Sequence, residues 1–116
     1  ELCRVNLALR VFDPQGRMNR WPKGYAVQRL CLVAFWSRIP SHRDLTEHEI
    51  NAVLKQGEVF GDHVLLRRSL IDPGLVKRTN DGAVYPRIER RPDAAERIVI
   101  RTLSERWQAQ AKQEDA

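Results

Sequence analysis

The sequence predicts a mostly helical α+β domain in which two short helices are followed by a β-hairpin. Thr46 and Glu49 have the spacing of a capping box, which marks the start of the first helix. Asp62 is a residue type that caps helices, and it precedes the apolar stripe of the second helix. Asn80-Asp81-Gly82 then separates two short strand-like stretches, as a hairpin turn does. Two helices followed directly by a hairpin are the order of a winged helix-turn-helix.

A third core helix is predicted over Tyr25–Ser37, because its second half is apolar on every side and should be buried. Together with the two paired helices it makes a three-helix core, and strands at Leu75–Arg78 and Ala83–Ile88 make the β-hairpin wing. Side chains from all three helices should fill the interior: Phe35, Leu54, Leu66 and Leu70. The predicted fold is therefore a winged helix-turn-helix with an extra C-terminal helix.

Two stretches before this core allow alternative interpretations. The apolar pattern of Glu1–Phe12 fits a strand or a helix, and we favour a helix because no partner strand is evident nearby. A turn at Asp13–Gly16 leads into a loop that holds Trp21 among three basic residues: Arg17, Arg20 and Lys23. This loop is either a phosphate-contacting surface or a solvated loop whose tryptophan reaches the core, and we favour the solvated loop.

The C-terminal region is predicted to be an amphipathic helix from Asp93 to about Lys112. We therefore divide the chain into a winged-helix-like domain, residues 1–91, and a C-terminal helix, residues 92–116. The apolar stripe of this helix could fold over its own domain or pair with a second copy of the chain. We favour a homodimer, with a contact through Ile98, Val99, Leu103 and Trp107.

The basic charge is unevenly distributed along the chain. The net charge is +5, from 20 basic and 15 acidic residues. Residues 1–45 carry a net charge of +5 and residues 62–91 carry +3, whereas residues 46–61 carry −2 and residues 92–116 carry −1. A mildly basic protein favours polyanionic partners but does not identify one. The longest apolar run, Leu30–Trp36, is too short to span a bilayer, so we expect a cytoplasmic protein without a membrane segment.

No catalytic or cofactor-binding motif is recognisable. The three histidines lie in different predicted elements and lack the spacing of a zinc site: His42, His48 and His63. Cys3 and Cys31 belong to no motif that indicates an activated thiolate, so we expect two reduced structural thiols. We therefore expect no enzyme activity, no metal and no cofactor.

Five basic residues are candidates for DNA contact. They lie on the outer face of the second paired helix and on the wing: Arg67, Arg68, Lys77, Arg78 and Arg87. In a DNA-binding helix-turn-helix that face enters the major groove, where arginine reads guanine edges or phosphates. Alternatively, one of the helix arginines folds back onto Asp62, Asp72 or a carboxylate of the preceding helix. The wing charges could likewise protect a solvated edge strand, a role that Pro86 also suits.

The chain resembles a bacterial family known as domain of unknown function 2087. The resemblance covers roughly residues 9–88 and rests on several short motifs: Asp13-Pro14-Gln15-Gly16-Arg17 with Pro22-Lys23, Leu45 to Asn51, Asp62, Leu66-Arg67-Arg68, Leu70-Ile71-Asp72, Gly74-Leu75-Val76, and Asp81-Gly82 with Tyr85. It implies a small bacterial domain that stands alone or is attached to transcriptional regulators. It implies no established activity, ligand or catalytic residue.

Two functions remain open at the level of sequence. The first is a transcriptional regulator that binds double-stranded DNA through the second paired helix and the wing. The alternative is a winged helix that does not bind DNA and serves protein interaction or dimerisation. Glu47 and Glu49 support the alternative, because the first paired helix would have to cross a phosphate backbone that these carboxylates repel.

Overall fold

The chain forms five α-helices and one two-stranded antiparallel sheet within the part that the computed structural model describes, which is residues 2–79, 81 and 84–115. The elements follow in the order α1 (Leu2–Arg10), α2 (Tyr25–Arg38), β1 (Asp44–Thr46), α3 (Glu47–Gln56), α4 (His63–Ile71), β2 (Val84–Pro86) and α5 (Ala94–Asp115). The predicted class, α+β and mostly helical, is confirmed. No helix in the described ranges is both long and apolar enough to cross a membrane.

Helix α2 is the centre of the core. All seven residues from Leu30 to Trp36 are buried, which matches the prediction that this half would be covered on every side. Helices α1, α4 and α5 pack against α2. The four side chains predicted to fill the interior are all fully buried in one continuous cluster: Phe35, Leu54, Leu66 and Leu70.

The N-terminal segment is helical, as we favoured. Val5 and Ala8 of α1 are buried against the core. Trp21 is partly buried and packs on the same core, whereas the three basic residues of its loop are exposed: Arg17, Arg20 and Lys23. This is the arrangement expected for a solvated loop anchored by its tryptophan.

The predicted helix starts are confirmed by their caps. The Thr46 hydroxyl accepts a hydrogen bond from the Glu49 amide at 3.2 Å, and the Glu49 carboxylate accepts one from the Thr46 amide at 3.0 Å. The Asp62 carboxylate accepts a hydrogen bond from the Leu65 amide at 3.1 Å and so caps α4. Each cap satisfies amides that have no partner within the helix.

The sheet differs from the predicted two-stranded hairpin. Strand β2 pairs antiparallel with β1, with Leu45 opposite Tyr85. The segment 75–79 lies along the other edge of β2, through hydrogen bonds from the Lys77 amide to Pro86 at 3.0 Å and from the Thr79 amide to Val84 at 3.2 Å. Regular strand geometry covers Val84–Pro86 alone rather than both predicted strands, Leu75–Arg78 and Ala83–Ile88. Three residues predicted in the turn and the second strand lie outside the described residues: Asn80, Gly82 and Ala83.

Strand β1 is an element that the sequence did not predict, because a polar connection was expected before α3. Its pattern is exposed, buried, exposed, and only Leu45 reaches the core. Three residues are too few to show an alternation that could be recognised from sequence.

Helix α5 lies on its own domain. Val99 and Leu103 are fully buried within the chain, and the Trp107 indole Nε1 donates a hydrogen bond to the Gly16 carbonyl at 2.6 Å. Gly16 has φ +83°, and a Cβ there would lie 2.5 Å from the Trp107 ring, so glycine is required. The predicted two-fold contact through Ile98, Val99, Leu103 and Trp107 would therefore require α5 to leave this position. Homodimer formation and the division of the chain at residue 92 remain predictions.

Loss of the cap on α3 should destabilise the chain. We expect Thr46→Ala to lower the free energy of unfolding by about 1 kcal/mol, because the Glu49 amide loses its acceptor. Thr46→Ser, which keeps the hydroxyl, is the matched control and should unfold close to wild type. Denaturant unfolding followed by circular dichroism measures both, and equal midpoints for Thr46→Ala and wild type would contradict the prediction.

The two faces of α4 should respond differently to truncation of an apolar side chain. Leu66→Ala should cost about 2–5 kcal/mol, because it leaves a cavity in a fully buried position. Val64→Ala removes a side chain that is 39% exposed on the same helix and should change stability by no more than about 0.5 kcal/mol. Comparable losses in the two variants would mean that the rotation of α4 about its axis is wrong.

Removal of residues 92–116 should strongly destabilise the remaining domain. The deletion exposes the core that Val99 and Leu103 cover, and each such loss costs about 2–5 kcal/mol. A chain ending at Trp107 retains both residues and is the control, expected to unfold near the full chain. Thermal unfolding together with light scattering decides the matter: a stable monomer of residues 1–91 would instead support α5 as a separable dimerisation helix.

Candidate nucleic-acid interface

An open groove lies between α4, the start of α3 and the β2 side of the sheet. Its volume is about 390 Å³. The side chains that line it come from α3, α4, β2 and the segments that follow α4: Glu47, Arg67, Arg68, Ile71, Asp72, Arg78 and Tyr85. Three of the five predicted DNA-contacting residues therefore meet in one place, namely Arg67, Arg68 and Arg78.

Arg67 connects the elements that surround the groove through its side-chain contacts. One guanidinium nitrogen donates to the Asn51 side-chain oxygen at 2.7 Å, and another lies 3.3 Å from the Glu47 carboxylate. The guanidinium also sits 5.8 Å from the centre of the Tyr85 ring, and the Tyr85 hydroxyl donates to Glu47 at 3.4 Å. The side chain is only 15% exposed. Arg67 thus follows the alternative in which a helix arginine folds back onto a carboxylate of the preceding helix.

Arg87 is turned away from this groove, against the end of α2. It donates to the Ile39 carbonyl at 2.8 Å and to the Ser41 hydroxyl at 2.6 Å. Its guanidinium lies 4.2 Å from the centre of the Trp36 ring and forms two hydrogen bonds to the Glu89 carboxylate. Those hydrogen bonds lower the pKa of the Glu89 carboxyl to about 2. With all these contacts, Arg87 joins the end of β2 to α2.

The other three predicted residues are exposed. Arg68 and Arg78 line the groove from α4 and from the segment after it, whereas Lys77 is exposed outside the groove. Neither Arg68 nor Arg78 has an ion pair to a carboxylate in the described ranges. Their guanidinium groups are free to donate to phosphate oxygens or to base edges.

Acidic side chains lie close to the same groove. Glu47 and Asp72 line it directly, and Glu49, two residues further along α3, forms an ion pair with Arg43 at 2.8 Å. The backbone hydrogen bond from Thr46, assisted by Arg43, lowers the pKa of the Glu49 carboxyl, so this end of α3 stays negative at neutral pH. The groove is therefore a mixed surface rather than a uniformly basic one.

The groove offers charged and hydrogen-bonding side chains. Across residues 2–79, 81 and 84–115, no group of three His, Cys, Asp or Glu side chains is close enough to hold a metal ion. Burial raises the pKa of the Cys31 thiol to about 12, so this thiol is protonated at neutral pH. Cys3 is exposed on α1, away from the groove.

Four residues that line the groove were not among the predicted site residues: Glu47, Ile71, Asp72 and Tyr85. Glu47 was noted only as an acidic helix start, and Tyr85 only as part of a family motif. Tyr85 is buried between partly exposed neighbours, an alternation typical of a strand, but three residues carry little signal. The pairing of Glu47 with Arg67 links positions 20 residues apart, and no local pattern indicates it.

The comparisons with known proteins identify a family. Residues 17–87 match the family model described as Uncharacterized protein conserved in bacteria (DUF2087). The match spans α2 to β2, so it includes the groove and excludes α1 and α5. No curated protein and no solved structure matches the chain. Since the family model covers more than half of its residues, the chain belongs to this bacterial family of domains of unknown function.

Proposed function

We propose that the chain is a cytoplasmic winged-helix module that binds double-stranded DNA in transcription regulation. The order of elements supports this proposal: α2, β1, α3 and α4 are followed by the segment 75–79 and β2, and β1 pairs with β2. In a winged helix, α4 is the recognition helix and the segment from 75 to β2 is the wing. The recognition helix enters the major groove, and the wing lies near the adjacent backbone.

The observation that carries the proposal is the position of Arg68 and Arg78. The two exposed guanidinium groups stand on α4 and on the wing, and they face the same groove. Arginine is the side chain best suited to paired hydrogen bonds with a guanine edge or a phosphate. Lys77, exposed beside them, is a third cation that suits a phosphate contact.

The positions of the arginines leave fewer than five of the predicted residues available to contact DNA. Arg67 and Arg87 are only 15% and 12% exposed, and both are bonded to carboxylates. Releasing Arg67 to DNA would leave Glu47 and the Asn51 side-chain oxygen without this partner. Releasing Arg87 would do the same to Glu89 and to the Trp36 and Ile39 carbonyls. We therefore assign them to the framework of the interface and keep Arg68, Lys77 and Arg78 as the contacting residues.

A protein-interaction module is the second candidate, and the acidic start of α3 favours it. The side chains of Glu47 and Glu49 are 51% and 37% exposed, and Asp72 is exposed at the end of α4. The first paired helix crosses the phosphate backbone in DNA complexes, where carboxylates are repelled. A protein partner with alternating charges would match this mixed groove better than a polyanion.

Fluorescence anisotropy with labelled DNA duplexes at low salt tests the proposal. We expect Lys77→Ala to weaken binding to all sequences alike and to lower the slope of log K against log salt by about one unit. Arg68→Ala should cost about 1–3 kcal/mol, with the loss concentrated at one base position if Arg68 reads a base.

Arg101→Ala is the matched control, because Arg101 is exposed on α5, which packs on α1 and α2. This variant should bind DNA as the wild type does. The absence of binding to any duplex at micromolar protein would overturn the proposal in favour of the protein-interaction module. Equal losses in Arg68→Ala and Arg101→Ala would show that any binding is diffuse charge attraction.

A further inference from the structure

A second cleft lies at the opposite end of α3 from the groove. Its volume is about 410 Å³, and the residues that line it come from the turn after α1 and from the ends of α2, α3 and α5: Gln15, Arg17, Arg38, Gln56, Trp107, Gln110 and Ala111. Glu47 in the groove and Gln56 in the cleft are the first and last residues of α3. A helix of that length separates the two sites by roughly 14 Å.

Arg38 is the central cation of this cleft. It lies in the last turn of α2, and its guanidinium carbon is 4.3 Å from the centre of the Trp107 ring. The inner nitrogen Nη1 is buried beside Gly57, where an added Cβ would lie 3.2 Å from it. Within the described residues Nη1 has no hydrogen-bond partner. Burial lowers the pKa of the Arg38 guanidinium, and no carboxylate offsets that effect.

Three other partly buried arginines are neutralised by carboxylates, and a fourth, Arg106, donates to the backbone carbonyls of Leu9, Phe12 and Asp13. Arg67 lies beside Glu47, Arg87 is bonded to Glu89, and Arg90 is bonded to Glu96 at 2.8 Å. Arg38 has no such ion pair in the part of the chain that the structure describes.

A partly buried cation without a counterion is costly, and an orphaned donor adds to the cost. The negative ends of α2 and α3 favour a cation here, but they leave Nη1 without an acceptor. A bound anion would supply the missing charge.

We propose that this cleft binds a small organic or inorganic anion through a carboxylate or phosphate group. The anion lies against the open side of the Arg38 guanidinium, which Trp107 holds in place from the other direction by a cation–π contact. Arg17 lines the same cleft with a side chain that is 44% exposed. Its ion pair with Asp13, at 3.3 Å, is exposed and therefore weak, so the guanidinium can also bind a ligand anion.

The remaining groups of the cleft suit the same ligand. The side-chain amides of Gln15 and Gln56 add neutral hydrogen-bond donors without a competing carboxylate. The volume lies within the range of small-molecule sites. This site is independent of DNA binding, since it shares no residue with the groove.

Thermal unfolding of the full chain with sodium phosphate or sodium succinate, at matched ionic strength, tests the proposal. We expect a saturable rise in the midpoint of unfolding with at least one of the two salts. The salt with the larger effect shows whether phosphate or carboxylate is the preferred group. Arg38→Gln should weaken the affinity roughly ten- to a hundredfold, the loss expected for a charged hydrogen bond. Arg38→Lys should recover part of it, because lysine keeps the charge but not the planar pair of donors.

Arg68→Gln is the matched control, because it removes an exposed arginine from the groove and should leave anion binding unchanged. If Arg38→Gln does not fold, Arg17→Gln in the exposed turn replaces it. In that case the Arg38 side-chain NεH signal of the wild type is also followed by nuclear magnetic resonance while phosphate or succinate is added. A saturable shift that Arg38→Gln or Arg17→Gln weakens supports the site. A response that does not saturate, or one that only Arg68→Gln abolishes, overturns it and leaves the DNA-binding proposal unaffected.

Discussion

Burial of the second half of α2, Leu30–Trp36, on every side is the constraint on which the rest of the structure depends. A helix that is apolar all round can be stable in water only if other elements cover each of its faces. Helices α1, α4 and α5 supply that cover, and the Trp36 indole extends it by donating to the Ile88 carbonyl at 2.9 Å. The chain therefore needs its first and last helices as well as its central ones. This explains why α5, although outside the family match, is integrated into the core.

The arginines of this fold fall into two groups. Some hold structural elements together, and others are exposed. Arg67 links α3, α4 and β2, and Arg87 links the end of β2 to α2, so neither is available without loss of these contacts. Arg68 and Arg78 point into the groove and have no comparable role. A count of basic residues along the sequence treats all four alike, although only two of them are placed to meet a partner.

The two candidate sites differ in the chemistry they offer. The groove at the start of α3 is shallow and mixed in charge, with two exposed guanidinium groups beside the carboxylates of Glu47 and Asp72. The cleft at the end of α3 has cations and amides but no carboxylate among its lining residues. An extended partner that carries its own charge pattern suits the groove, whereas a compact anion suits the cleft.

Local chemistry in the sequence determined the helices, their caps and the core. Thr46 with Glu49 and Asp62 with Leu65 lie within one turn of each other, so spacing alone predicts these caps. The apolar periodicity likewise predicted that Leu66 and Leu70 are buried. Contacts between distant positions were decided only by the tertiary structure. Examples are the pairing of β1 with β2, the contact of Arg67 with Glu47, the hydrogen bond of Trp107 to Gly16, and a buried Arg38 Nη1 that has no hydrogen-bond partner among the described residues. Each contact depends on which elements pack together, and the residues next to these positions in the sequence do not indicate that packing.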